Sequence, residues 1–316
     1  MTYWSTAAAI ALSSFALVAT VTSAVVALGG PRLARRLARY APASRAGLLF
    51  RLRVLPAALA TVWAFGVALP IYLWFEPRDA DETLSRTLIV FALIGLSLLA
   101  SGAWRAGAAW RATRLVRRGW QLRGRRLDVP GIPMPVFGID ESFPTVAVVG
   151  FSRPALFIAE RLLRECSEDE VRAMLLHECA HVSSRDNFKR FMMRACPDFV
   201  RRGGALDLAW ASAAEEAADA TAVAARPSSA FDLAHALIRV ARLAPRPFPP
   251  ELASAFYLGG SIESRVRRLV DPNAAPEYTR PLGCVMATAV LLLAGLVVLA
   301  APTLHQVMEQ AVRLLP

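Results

Sequence analysis

The chain has 316 residues, of which 55% are hydrophobic and 19% charged, and its formal net charge is +11. The apolar residues are gathered into long blocks, which favours a membrane protein with a soluble insert over one large globule. Arginine supplies nearly all of the positive charge, since Lys189 is the only lysine. The arginines cluster beside the apolar blocks and no nucleic-acid motif accompanies them, which argues against direct binding of nucleic acid.

Four apolar stretches are each long enough to cross a bilayer as a helix, at residues 4–28, 54–75, 87–104 and 282–301. The first is not typical of a signal peptide, because arginines follow it and no positive charge precedes it. The segments after the first and third stretches are rich in arginine, whereas the loop after the second is acidic. The positive-inside rule therefore predicts a multi-pass protein of the cell membrane with both termini outside.

This topology divides the chain into three parts. Residues 1–110 are predicted to hold three transmembrane helices, 111–280 a cytoplasmic domain, and 281–316 the fourth helix and a short outer tail. Within the cytoplasmic part, residues 135–140, 145–150 and 155–158 predict short strands. Helices are predicted at 187–196, 206–225, 229–243 and 261–270. The expected fold is thus a four-helix membrane protein with an inserted α+β domain.

The motif His177-Glu178-Cys179-Ala180-His181 lies on a helix that is predicted to begin at Ser167. Ser167 and Glu170 match the S-x-x-E capping box, and apolar residues follow at helical spacing. His177 and His181 are four residues apart, so both imidazoles face one side and could bind one Zn²⁺. Glu178 could then act as the general base on a metal-bound water. The motif predicts a zinc metallopeptidase with one zinc ion per chain.

A catalytic zinc ion needs a third protein ligand and keeps one position for water. Glu215 and Asp219 are four residues apart in an alanine-rich predicted helix, so Glu215 could bind the metal while Asp219 orients a ligand histidine. Glu216 is an open alternative for the third ligand. His235 is a further candidate ligand or oxyanion stabiliser, although a lone histidine among apolar residues is more often structural. Cys179 faces away from the histidines by helical spacing, which predicts a role in packing.

The run SRPALFIAERLLRECSEDEVRAMLLHECAHVSSRDN resembles the core of the BlaR/MecR-type antirepressor membrane metallopeptidases, metallopeptidase family 56. The layout of four spans, with the insert before the last, is similar too. The resemblance implies a zincin-like domain of the gluzincin type and a cytoplasmic regulatory substrate such as a transcriptional repressor. It also implies roles for five residues. His177, His181 and Glu215 would bind zinc, Glu178 would be the general base, and Asp219 would hydrogen-bond a ligand histidine and orient it.

Further matches and departures concern the flanks of the motif. Arg185-Asp186 matches the Arg-Asp that usually follows it, and residues 261–266 are similar to the closing helix of the family. The family usually has arginine before the third ligand, where this chain has Ala214. Sensor members continue into a β-lactam-binding domain after the last span, which is not expected here. Direct β-lactam binding is not expected either, because Lys189 follows Asp186 rather than the serine of a Ser-x-x-Lys motif.

Two alternatives remain open. The HtpX/CAAX-protease type of membrane quality-control or processing enzyme, metallopeptidase family 48, shares both motifs, but the short distance between the motifs favours family 56. A non-proteolytic zinc-containing membrane signalling protein is the other alternative, and an intact Glu178 argues against it. The expected partners are the lipid bilayer and a protein or peptide substrate, which could add as a β-strand along the edge of the strand at 145–150.

Overall fold

The computed structural model describes residues 3–77, 84–200, 204–243 and 262–271. Its first part consists of three long apolar helical segments, each long and apolar enough to cross a membrane, which supports membrane association. They are α1 (Tyr3–Arg36), α2 (Pro42–Trp63) continuing through a π-turn into α3 (Leu69–Phe75), and α4 (Arg86–Arg123). The predicted fourth span at 282–301 lies outside the described residues.

The second and third of these segments depart from simple spanning helices. The π-turn Ala64–Ala68 separates α2 from α3 just before Pro70, whose missing N–H prevents a regular α-helical hydrogen bond. Helix α4 has 38 residues and is therefore about 57 Å long. It is nearly twice as long as a hydrocarbon core is thick. It continues without a break past residue 110, and its Trp120 ring packs 5.3 Å from Phe157 in the sheet.

Helices α1 and α4 pack with their backbones in contact at Gly95. A Cβ atom built on Gly95 would collide with the carbonyl group of Leu12. Small residues permit such close approach of helices in membranes. Gly107, on the same helix, has no atom within 4 Å of the corresponding position.

This difference predicts opposite effects of one substitution at two glycines. We expect Gly95→Ala to lower the free energy of unfolding by about 1–3 kcal/mol, because the helices must separate. Gly107→Ala should leave it unchanged or raise it by up to about 1 kcal/mol, because alanine favours a helix over glycine. Thermal unfolding of both variants in detergent measures the difference, and equal melting temperatures would contradict the packing.

A four-stranded sheet follows α4, with strand order β1-β2-β4-β3. The strands are β1 (Arg125–Leu127), β2 (Val136–Ile139), β3 (Val146–Val149) and β4 (Ala155–Ala159). β2 and β4 are parallel, and the other pairs are antiparallel. The three predicted strands are confirmed, and β3 is an edge strand of this sheet. β1 was not predicted, because its two arginines read as part of the basic segment after the third span.

Six helices complete the described part of the chain. They are α5 (Glu160–Glu165), α6 (Glu168–Ser183), α7 (Asp186–Ala195), α8 (Ala205–Ala225), α9 (Ser229–Leu243) and α10 (Ile262–Val270). All but the short α5 were predicted. The bounds of α7 to α10 and the start of α6 agree within one residue, and no end was predicted for α6. The main core lies between the sheet and α6 and α9, where Leu156, Ile158, Met174 and Leu237 are buried.

Helix α8 packs on the first two apolar helices rather than on the sheet. Trp210 and Ala214 of α8 are buried in one apolar cluster with Leu49 of α2 and Val26 of α1. Leu206, in the first turn of α8, packs against Gly30. The apolar helices therefore form part of the surface that positions α8.

Candidate metal centre

Helix α6 carries both histidines of the motif and begins as predicted. Ser167 accepts a hydrogen bond from the backbone N–H of Glu170 at 3.2 Å, and the Glu170 carboxylate accepts one from the Ser167 N–H at 2.8 Å. This capping box stabilises the first turn of the helix. His177 and His181 are buried, and their Nε2 atoms lie 3.2 Å apart. The helix thus places the two Nε2 atoms close enough together to bind one metal ion.

Glu215 of α8 completes a cluster with these histidines. Its Oε2 lies 3.3 Å from His177 Nε2, and its Oε1 lies 3.5 Å from His181 Nε2. Four tetrahedral ligands at about 2.0–2.1 Å from zinc are about 3.3–3.4 Å from one another. The three separations of 3.2, 3.3 and 3.5 Å therefore suit a single metal ion held by all three residues.

The surroundings of the Glu215 carboxylate also fit a bound cation. The side chain is fully buried, and neither oxygen accepts a well-aligned hydrogen bond from the described residues. Nitrogen atoms of the two histidines, Arg190 and Arg265 lie 3.1–3.6 Å away. A buried carboxylate is costly without directed partners or a bound cation. Two imidazole nitrogens and a carboxylate oxygen are a typical ligand set for zinc.

Two further carboxylates hold the histidine rings from behind. Asp219 Oδ1 lies 2.8 Å from His177 Nδ1, and Asp186 Oδ2 lies 2.8 Å from His181 Nδ1. A carboxylate at Nδ1 fixes the tautomer and directs the Nε2 lone pair toward the metal. Asp186 can reach back because Arg185 adopts a left-handed conformation, with φ 55°, between α6 and α7. In the sequence, only the Arg-Asp pair after the motif pointed to Asp186.

The pKa values of both histidines are raised by these carboxylates. Burial by itself would lower the pKa of His177, but the contacts with Asp219 and Glu215 outweigh burial and raise it. Burial is also outweighed at His181, where the Glu215 charge and the hydrogen bond with Asp186 raise the pKa to about 10. The negative charge of these carboxylates therefore favours a cation at the imidazoles, and a metal ion would have to replace the protons on the ligating nitrogens.

Glu178 lies between the histidines and the edge strand. Its Oε2 accepts a hydrogen bond from the backbone N–H of Val148 on β3, at 3.0 Å. Burial raises the pKa of Glu178, and the positive charges of the two histidines oppose the rise. The carbonyl of Val148 accepts a hydrogen bond from the Asn187 side chain at 2.8 Å. The motif glutamate is therefore held beside β3 and close to the candidate ligands.

A cleft of about 210 Å³ lies next to this strand, between α4 and α7. Val148, Val149 and Gly150 form one wall, and Arg190 and Phe191 of α7 form part of another. Arg190 stacks over the Trp210 ring at 5.5 Å and lies 3.6 Å from Glu215 Oε1. The cleft therefore connects the edge strand with the surroundings of the candidate metal ligands.

Arg265 of α10 is a site residue that the sequence analysis did not identify. It is buried and donates two hydrogen bonds to Asp219, from Nε at 2.8 Å and from Nη2 at 2.6 Å. Its Nη1 lies 3.1 Å from Glu215 Oε2. One guanidinium thus holds both Glu215 and Asp219 of α8 in place. The resemblance of residues 261–266 to a closing helix was the only signal, and it indicated no role for the arginine.

These contacts predict a large loss of stability on removing the Arg265 charge. We expect Arg265→Met to lower the free energy of unfolding by roughly 3–5 kcal/mol, because two buried carboxylates lose their cation. Arg267→Met on the same helix is the matched control, since that exposed side chain pairs, among the described residues, with exposed Glu263. Its effect should stay below about 1 kcal/mol. Thermal unfolding of the metal-free variants makes the comparison, and similar losses for both would contradict the assigned contacts.

The remaining candidates of the sequence analysis lie outside the cluster. Glu216 points away from the histidines and pairs with Arg45 of α2 and Arg268 of α10. His235 is exposed on α9 and is not part of the cluster. Cys179 is partly buried and unpaired to any other cysteine of the described residues. The structure therefore favours Glu215 over Glu216 beside the histidines.

One comparison with known proteins found a family model that matches the part of the chain containing the candidate metal centre. Residues 110–244 match the model described as Peptidase family M48, and this range includes all three candidate ligands. The match supports a metallopeptidase of family 48, the alternative that the sequence analysis ranked second. The BlaR/MecR-type identity of family 56 is not confirmed. A search of curated proteins found no significant match.

Proposed function

We propose that the protein is a membrane-embedded zinc endopeptidase whose metal is held by His177, His181 and Glu215. The observation that carries this proposal is the set of separations between the three ligand atoms, 3.2–3.5 Å, which are those of one tetrahedral site. The match with a metallopeptidase family adds independent support. A structural zinc site would have four protein ligands, whereas this cluster offers three within the described residues.

The residues around the metal divide the work of peptide hydrolysis. A bound zinc ion would polarise the scissile carbonyl group and lower the pKa of a coordinated water. Glu178 would take a proton from the attacking water and return it to the amine that leaves. Its raised pKa suits a group that must both accept and donate a proton. Asp219 and Asp186 would keep the imidazoles oriented, and Arg265 would hold Asp219.

The edge strand β3 offers a place for the substrate. An extended peptide can add to the edge of a sheet through its backbone, which suits enzymes that cut within a chain. Val148, whose N–H contacts Glu178, brings that edge next to the proposed base. A substrate strand would compete with the Asn187 side chain for the carbonyl of Val148.

The biological setting is proposed from the sequence and the family match. The peptidase domain, residues 111–280, would face the cytoplasm, since arginine-rich segments border its membrane helices. The match with family 48 favours membrane quality control or processing, and the resemblance to family 56 suggests a repressor-like regulatory protein as substrate. Both readings share a protein substrate that is cut at the cytoplasmic face of the membrane.

Purified full-length protein in detergent tests the proposal, with casein as the probe. We expect metal analysis to find one zinc ion per chain. Cleavage of casein should stop when 1,10-phenanthroline removes the metal, and it should return when zinc is added. Cleavage that continues in protein shown to be metal-free would contradict the proposal, as would zinc-loaded protein that fails to cut casein or any cellular protein.

A further inference from the structure

Helix α7 joins the candidate metal centre to the membrane helices. Its first residue, Asp186, contacts the ligand His181, and the carbonyl of its last residue, Ala195, lies against Gly102 of α4. Ten residues of α-helix are about 15 Å long. The candidate metal centre therefore lies within about 15–20 Å of the point where α7 contacts α4.

That meeting point lies at the ends of the three apolar stretches 4–28, 54–75 and 87–104, which lie within α1, α2–α3 and α4. Ser23, near the end of the first, accepts a hydrogen bond from the backbone N–H of Phe199 at 3.3 Å. Arg53, at the start of the second, donates one to Asp198 at 2.9 Å. Arg105, just past the third, donates one to the carbonyl of Cys196 at 2.8 Å. The connector 196–200 is thus hydrogen-bonded to all three apolar helices near the positions where their apolar stretches border arginine-rich sequence.

The same region exposes large apolar side chains. Phe188 and Met192 lie four residues apart on one face of α7 and are 42% and 37% exposed. Phe199 of the connector is 55% exposed. It lies beside Leu98 and Ser101 of α4 at a groove of about 470 Å³. Leu98 precedes Arg105 by seven residues, or about 10 Å along the helix, so Phe199 lies on the apolar side of the boundary.

We propose that α7 and the connector 196–200 form a membrane-inserted surface of the peptidase domain. Phe199 enters the hydrocarbon, and Phe188 and Met192 lie in the interfacial region of the bilayer. The lipid is the occupant of this face because the face continues the exposed apolar surface of α4. This inference rests on the proposed membrane association, and it adds that the metal centre sits at the bilayer surface, where it reaches juxtamembrane segments of a substrate.

The charges in this region agree with such a position. Asp198 and Arg53 are both fully buried and paired, as ionisable groups at membrane depth must be. Arg194 is exposed at the end of α7, whereas the Lys189 ammonium group near its start donates a hydrogen bond to Asp186. Long basic side chains beside an apolar face are typical of helices that lie in the interface, since they extend toward lipid headgroups.

Nitroxide side chains at five positions, three on the proposed surface and two references, test the insertion. Single cysteines at Phe188, Met192 and Phe199 are labelled in a full-length chain whose Cys166, Cys179, Cys196 and Cys284 are replaced by alanine. The protein is placed in vesicles of phosphatidylethanolamine and phosphatidylglycerol. Leu17, exposed on the first apolar helix, is the lipid-facing reference. Collisions with oxygen, which concentrates in lipid, are compared with collisions with a polar nickel chelate, which stays in water.

A label at Glu263, exposed on α10, is the aqueous reference. We expect the oxygen-to-nickel ratio at position 199 to match that at 17 and to exceed that at 263 by about tenfold, because hydrocarbon excludes polar solutes. Positions 188 and 192 should give intermediate ratios. Ratios like that of 263 at all three positions would overturn the proposal, as would low collision with both reagents, which indicates a protein partner.

A second measurement covers the case in which the cysteine-free chain fails to fold. p-Benzoylphenylalanine replaces Phe199 or Phe188 in the chain with its native cysteines, and mass spectrometry after illumination identifies the crosslinked molecule. Phospholipid adducts at both positions support insertion, and protein adducts alone or recovery of uncrosslinked protein alone overturn it. Neither experiment requires peptidase activity, so failure of the insertion is distinguishable from failure of the proposed function.

Discussion

Glu178→Gln should abolish proteolysis while leaving the metal bound. The general base contributes roughly 10²–10⁴-fold to such reactions, and we expect the rate of casein cleavage to fall by at least that factor. Glutamine keeps a carbonyl oxygen that can accept the hydrogen bond from Val148, so the fold should persist. The zinc content should also persist, because Glu178 is not among the three candidate ligands. Cleavage assays and metal analysis on the same preparation test both halves.

Glu168→Gln is the matched control for this variant. Glu168 lies in the first turn of the same helix and is exposed, so its loss should leave both cleavage and zinc content unchanged. Undiminished cleavage by the Glu178→Gln variant would contradict the role of Glu178 as the general base. The two variants also offer a way to find substrates. Protein termini that arise in cells with Glu168→Gln but not with Glu178→Gln mark the cleavage sites.

Glu215→Ala should lose the metal, and Glu216→Ala should keep it. The Glu215 oxygens lie 3.3 and 3.5 Å from the two ligand nitrogens, whereas the Glu216 carboxylate pairs with Arg45 and Arg268. Loss of a residue behind a ligand usually weakens metal binding by about 10–100-fold, and loss of a ligand should cost more. Zinc content after dialysis against a weak chelator measures the difference on folded protein.

The Glu216 variant is informative in a second respect. Removing its carboxylate breaks the ion pairs of α8 with Arg45 of α2 and Arg268 of α10, so we expect a lower melting temperature together with normal zinc content. Equal zinc loss in the two variants would mean that the arrangement of α8 itself, rather than one carboxylate, holds the metal. Retention of zinc by Glu215→Ala would contradict the ligand assignment.

The contacts of α8 connect the candidate metal centre to the apolar helices α1 and α2. Arg53 of α2 donates hydrogen bonds to Asp207 in the first turn of α8 and to Asp198 just before it. Trp210 and Ala214 pack on α1 and α2. Metallopeptidase family 56, which the sequence resembles, usually has arginine where this chain has Ala214. Here that position is buried against the apolar helices α1 and α2. Arg190 and Arg265 instead bring positive charge to Glu215.

Local spacing was sufficient to find the centre of this site. Two histidines four residues apart must share a helix face, and Ser167 with Glu170 specifies where that helix begins. Apolar blocks of adequate length likewise indicate membrane helices, because the thickness of the bilayer sets their length. Such features depend on neighbours within a turn or two along the chain. They could therefore be predicted from the order of residues alone. The i, i+4 spacing of Glu215 and Asp219 could be predicted in the same way, but the choice between Glu215 and Glu216 could not.

Contacts between distant segments depended on how the helices pack. Glu215 and Glu216 are both buried in an alanine-rich helix whose periodicity favours no single face, so only the position of α8 against α6 and α2 separates their roles. Arg265 reaches Asp219 from 46 residues away. Phe188, Met192 and Phe199 become one surface only because the connector is bound to the ends of three apolar helices. The order of residues does not specify how far apart two helices or strands lie in space. Those distances are decided by how the elements pack in the tertiary structure.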